Sequence, residues 1–161
     1  MASFNKNTLH QVAGFDNAII ANELVYGQRT FWNLALVDTT TSVPISIVGA
    51  TIDAQIIRRS ISDYADTSSG LSFAVSDYSP APSAIPLTVS NIIGAAGTFT
   101  VTIDSTVWSV IASDADLDIS SSNPIGFTGR IKISFPAAGS TPAEDSIIFM
   151  LFLLRSDGLV N

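Results

Sequence analysis

The chain has 161 residues, enough for one domain of ordinary size, with no cysteine and a single histidine. Hydrophobic residues make up 47% and charged residues only 13%, with seven basic against fourteen acidic side chains and a formal net charge of −7. This excludes a disulfide scaffold and a thiolate metal site, and Arg58-Arg59, the only adjacent basic pair, is too little for a phosphate backbone.

Met1 to Phe15 lacks the basic end and apolar run of a secretion signal, and it is predicted to be an extended N-terminal arm lying on a neighbouring subunit. Residues 16–161 are predicted to form one domain. Ala18 to Tyr26 reads as a strand closed by Gly27. Arg29 to Val37 alternates, with Phe31, Ala35 and Val37 on one side and Trp32, Leu34 and Leu36 on the other, which predicts a central strand buried on both faces. Asp38 to Ser42 is a turn, and Pro44 to Val48 a short edge piece. Thr51 to Arg59 is an amphipathic strand with Ile52, Ala54 and Ile56 inward and Thr51, Asp53, Gln55 and Arg59 outward.

A polar loop over 62–70 and a short strand over 71–75 follow. Ser79 to Pro86 carries three prolines and is predicted to be an extended surface connection, because proline cannot donate to a ladder. Leu87 to Ile93 and Thr98 to Ile103 flank Gly94-Ala-Ala-Gly97 as a hairpin, with Phe99, Val101 and Ile103 on the one buried face. Asp104 is an N-cap for a short helix over about 105–112, with Val107, Val110 and Ile111 at helical spacing. Phe127 to Phe135 alternates again. Ser146 to Leu154 is a continuous apolar strand, either wholly buried or covered on one face by a neighbouring subunit. The predicted fold is all-β: a two-sheet antiparallel β-sandwich of about eight strands with one short inserted helix.

Residues that carry chemistry are scarce. His10, the only histidine, lies in the arm with nothing preorganised around it. No Gly-x-Ser-x-Gly elbow occurs, and Gly94 to Gly97 lacks the lysine and the strand-to-helix setting of a phosphate loop. Asp114, Asp116 and Asp118 could offer oxygen ligands to calcium, yet Ile119 and Ile125 stand where a calcium loop of the helix–loop–helix type has Gly and Glu. They read as a helix-flanking acidic loop, with a calcium site of another type as the alternative. Only two glutamates exist, Glu23 and Glu144, so a glycosidase-like carboxylate pair finds little support. The expectation is a protein with no catalytic, cofactor or metal residues. Tyr64 and Tyr78, with Phe4 in the arm, fall outside the strand patterns and can serve as interface anchors, as sugar platforms or as cover for the core.

Ser and Thr supply most of the polar complement, 36 residues together. A surface short of charge and rich in hydroxyls suits a protein covered by neighbouring chains; the plainer reading is a strand-rich protein, since Thr favours strands and Ser favours turns. The longest apolar run, Ile147 to Leu154, is eight residues, against the ~20 that a membrane helix needs.

Three stretches carry a resemblance. Phe31-Trp-Asn-Leu-Ala-Leu-Val-Asp38, then Val43-Pro-Ile-Ser-Ile-Val-Gly-Ala-Thr51 and the strand to Arg59, resemble the opening of β-sandwich domains in tailed-phage structural proteins, such as the N-terminal domain of baseplate upper proteins. Gly97 to Asp104 and Ile147 to Gly158 are similar to the same class. The Asp38-Thr-Thr-Thr turn is longer than usual in those domains, and Ser46 replaces a frequent Asp. A stand-alone virion subunit, without a downstream receptor-binding domain, is the expectation. The resemblance implies a tailed-phage virion protein (cyanophages among the sources) in tail, baseplate, neck or capsid decoration, made in the host cytoplasm. It would act by assembly with copies of itself and other virion proteins, without nucleic acid or membrane. A carbohydrate- or receptor-binding module, with a host-surface glycan as ligand, is the alternative.

Overall fold

A computed structural model describes residues 9–10, 18–38, 40–59, 83–114, 125–140 and 142–155. The alternating segments become strands in two sheets. One sheet holds β1 (Leu9–His10), β2 (Ile19–Val25), β4 (Thr51–Arg59), β5 (Ile85–Pro86), β8 (Ile125–Phe135) and β9 (Glu144–Arg155), in the order β1-β2-β9-β8-β4-β5. The other holds β3 (Thr30–Ala35), β6 (Thr88–Ile93) and β7 (Thr98–Ile103), in the order β3-β7-β6. Helix α1 (Ser105–Ala112) follows β7 directly. The result is an all-β two-sheet sandwich with one short α-helix among the described residues.

The core lies between the sheets. Ala54 and Ile56 of β4, Phe127, Ile131 and Ile133 of β8, and Ile148, Met150, Phe152 and Leu154 of β9 are buried from one side. Trp32 of β3 and Phe99, Val101 and Ile103 of β7 meet them from the other. Trp32 stacks on Phe152 with ring centroids 4.9 Å apart and planes 9° from parallel. Its indole N–H is buried without a hydrogen-bond partner among the described residues, so packing alone holds the ring.

Several expectations change. The predicted arm contributes β1, which pairs Leu9 with Ile20 and His10 with Ile19 of this same chain; its other residues lie outside those described. β2 runs parallel to β9, the one parallel pair among the described strands. Parallel neighbours need a long connection between them, and β2 and β9 stand near opposite ends of the chain. Among the described strands β3 stands at the edge of its sheet and not at its centre: Trp32 is buried while Phe31 and Val37 are exposed. The central strand of that sheet is β7, and its hydroxyl face is covered as well, with Thr100 and Thr102 both buried. Thr100 Oγ1 donates to Asn33 Oδ1 at 2.9 Å and accepts from Asn91 Nδ2 at 3.3 Å, so side chains cross-link all three strands.

The proline-rich connection ends in structure too. Ile85 is buried and pairs with Ile56, while Pro86 sits opposite Gln55 at the sheet edge, where a missing N–H does least harm. Leu87 N–H then donates to Ala54 O, just before the chain enters β6 of the opposite sheet. The apolar run of β9 is buried on its core side only; Ile147, Phe149, Leu151 and Leu153 on its other side are half-buried. The short strand over 71–75 lies outside the described residues.

Candidate interaction surface

One end of the sandwich is built from two crossing pieces of chain. After β3, Leu36 N–H donates to Gly97 O, and Asp38 N–H donates to Val43 O, which closes a small turn. Asp38 holds that turn with its own carboxylate, accepting from Thr40 N–H at 2.9 Å, Thr41 N–H at 2.7 Å and Thr41 Oγ1 at 2.9 Å. These donors, led by the Thr41 amide, lower the Asp38 pKa below its ordinary 3.8. The chain returns through Pro44, bridged to Val37, and passes over the β6–β7 hairpin. Ile45 N–H donates to Leu36 O and Ile47 N–H to Gly94 O, both at 2.9 Å.

Glycine permits that crossing. Gly97 has φ +65°, and a Cβ there would run into Ile45 O. At Gly94 a Cβ would lie 2.9 Å from Val48 Cγ2. Ile47 turns inward and is buried, which anchors the strap in the core. Val37, Val43, Ile45 and Val48, with Ile92 and Ile93 on the hairpin beneath, face solvent instead, each 41–69% exposed. Leu36, Ile45, Ser46, Phe135, Pro136 and Glu144 line a shallow depression beside them.

Helix α1 lies near Tyr26 and Gln28 at the end of β2. Asp104 caps it as predicted, accepting from Thr106 and Val107 N–H and from Thr88 Oγ1. These hydrogen bonds, that from Thr88 first, lower its pKa below 3.8, with some help from Arg29. Val107, Trp108 and Ile111 are buried; Val110, predicted on the same apolar face, is exposed. Trp108 Nε1–H donates to Gln28 O at 3.0 Å, and the ring meets Tyr26 edge-on at 5.4 Å.

The acidic cluster has a structural use at its first member. Asp114 grips Arg58 through both oxygens, at 2.8 Å from Nε and 3.2 Å from Nη2, and the Arg58 side chain is only 4% exposed. The pair ties the end of α1 to β4. Asp116 and Asp118 lie outside the described residues, as do Tyr64, Tyr78 and Phe4, and the side chain of His10 is not described. Glu23 is exposed on β2, and Glu144 begins β9. Among the described residues no three acidic or histidine side chains stand close enough to hold a metal ion, and no helix is long and apolar enough to cross a membrane.

The exposed aliphatic end and the buried Arg58 are what sequence reasoning missed. The signal was present for the first: no charged residue occurs between Asp38 and Asp53, or between Asp77 and Asp104. No protein-family model matches the chain, and no curated protein matches it.

Proposed function

We propose that this chain is a structural subunit of a tailed-phage virion, in the tail, baseplate, neck or capsid decoration, which works by assembly with other protein chains and not by catalysis. The observation that supports it most is the end of the sandwich where residues 43–48 cross the β6–β7 hairpin, two pieces of chain that carry no charge and leave Val43, Ile45, Val48, Ile92 and Ile93 exposed. Scattered exposed apolar residues are ordinary; a group of this kind on a chain with only 13% charged residues suits a surface that another chain covers. The resemblance of Phe31 to Arg59 to phage β-sandwich domains supplies the setting.

Quantitative mass spectrometry of purified particles tests the reading. The chain should co-purify in a fixed ratio to other particle proteins through a density gradient. Its absence from particles that its own source produces would contradict the reading. Glycan-array binding by a monomer would favour a carbohydrate-binding module instead.

A further inference from the structure

We infer that β3 pairs antiparallel with β3 of a second copy of this chain, so that the two three-stranded sheets join into one across a two-fold axis. This rests on the assembly reading above and adds to it the edge, the register and the partner.

The backbone defines the edge. Leu36 N–H donates to Gly97 O, and in the same register Thr30, Trp32 and Leu34 direct their N–H and C=O groups toward β7. Asn33, Ala35 and Val37 therefore direct theirs the other way, and all three residues are exposed. Natural sheets blunt such edges with very short strands, proline, bulges or charge. Among the described strands, the other three sheet edges each carry one of these devices. β1 and β5 have two residues each, β5 with Pro86, and β6 is broken by a register shift between Ser90 and Ile93, where Asn91 has φ +51°. β3 is regular over six residues, and no charge or proline occurs between Arg29 and Asp38.

The side chains select the occupant. Phe31, Asn33, Ala35 and Val37 alternate along one face of β3, with the bulky apolar residues at its two ends, 45% and 48% exposed. That pattern reads alike in both directions about Leu34. Antiparallel pairing centred there sets Asn33 of each copy against Ala35 of the other as hydrogen-bonded pairs, and Phe31 against Val37 at both ends. A shift of two residues sets Phe31 against Ala35, or Val37 against Asn33, and loses both apolar pairs. The flanking charges differ in sign, so the same register brings Arg29 of one copy close to Asp38 of the other, twice. Two chains of formal charge −7 thus meet where their local charges attract.

Sedimentation equilibrium and amide hydrogen exchange of the full chain test this. As the wild-type chain is concentrated it should self-associate, and the amides of Asn33 and Ala35 should slow at least tenfold. The amides of Trp32 and Leu34, already bonded to β7, should be protected at every concentration. Ala35→Pro removes an N–H that the β3–β7 ladder does not use and should raise the dissociation constant at least tenfold. If that variant melts early, Ala35→Lys, which keeps the N–H and sets an ammonium on each side of the axis, should show a loss in the same direction. Val48→Ser, at an exposed aliphatic away from the edge, should associate like wild type. An oligomer whose residue 33 and 35 amides stay unprotected, or that Ala35→Lys leaves unchanged, would overturn the edge and leave the assembly reading standing. A wild-type chain that stays monomeric would overturn the second copy as partner, whereas the assembly reading is judged separately by particle composition.

Discussion

Gly97 carries two demands at once, a left-handed φ and room for the Ile45 carbonyl. Alanine there meets both strain and collision, and Gly97→Ala should destabilise the fold by roughly 1–3 kcal/mol in chemical unfolding. Gly129 is a similar close approach inside a ladder, where a Cβ would strike Gln55 O across the pair. The hairpin reading of Gly94 to Gly97 needed only the turn; the second demand comes from a strap 50 residues earlier in the chain and leaves no local mark. Arg58 is a different case. Alternation through Ile52, Ala54 and Ile56 puts residue 58 on the core side, yet a lone arginine gives no hint of its partner 56 residues away. Removing that partner leaves a buried guanidinium with less compensation. Asp114→Ala should cost up to roughly 3 kcal/mol, and adding Arg58→Met should recover much of it; losses that simply add would deny the coupling.

At the scale of elements, α1 is the most legible piece, because its N-cap, length and buried Val107, Trp108 and Ile111 are all local properties. Asp104→Ala should cost about 1 kcal/mol, read as a shift in the denaturation midpoint. Asp104, Asp38 and Asp145 all hold their protons less tightly in the folded state, each led by a hydrogen bond, and Asp145 also by the Lys132 ammonium 2.9 Å away. Depressed carboxylate pKa values stabilise the fold above the unfolded value, ordinarily 3.8, and that contribution disappears as pH falls through the folded values. Stability should therefore be flat from neutral pH to about 5 and decline below about 4, with Asp104→Asn showing a shallower decline. Strands were legible as strands but not as neighbours. Alternation states which residues share a face; it does not say that β2 pairs parallel with β9, or that β3 lies at an edge. β3 misled because apolar residues on both sides imitate a buried strand, when Phe31 and Val37 in fact face outward.

Across the whole molecule, two sheets enclose an aliphatic and aromatic core, and a shortage of charge becomes concentrated where residues 43–48 cross the β6–β7 hairpin. Composition alone showed that charge was scarce, and the sequence already holds both uncharged stretches. Only folding brings them together, since they lie some tens of residues apart and meet through Gly94, Gly97 and the Ile45–Ile47 backbone. A protein built this way should occupy a fixed place among other chains. Electron microscopy of intact particles with a gold-labelled antibody to the full chain tests that most directly. Gold should collect at one repeated location on tail, baseplate, neck or capsid. Particles without label, while the antibody still recognises the free chain, would contradict the virion role.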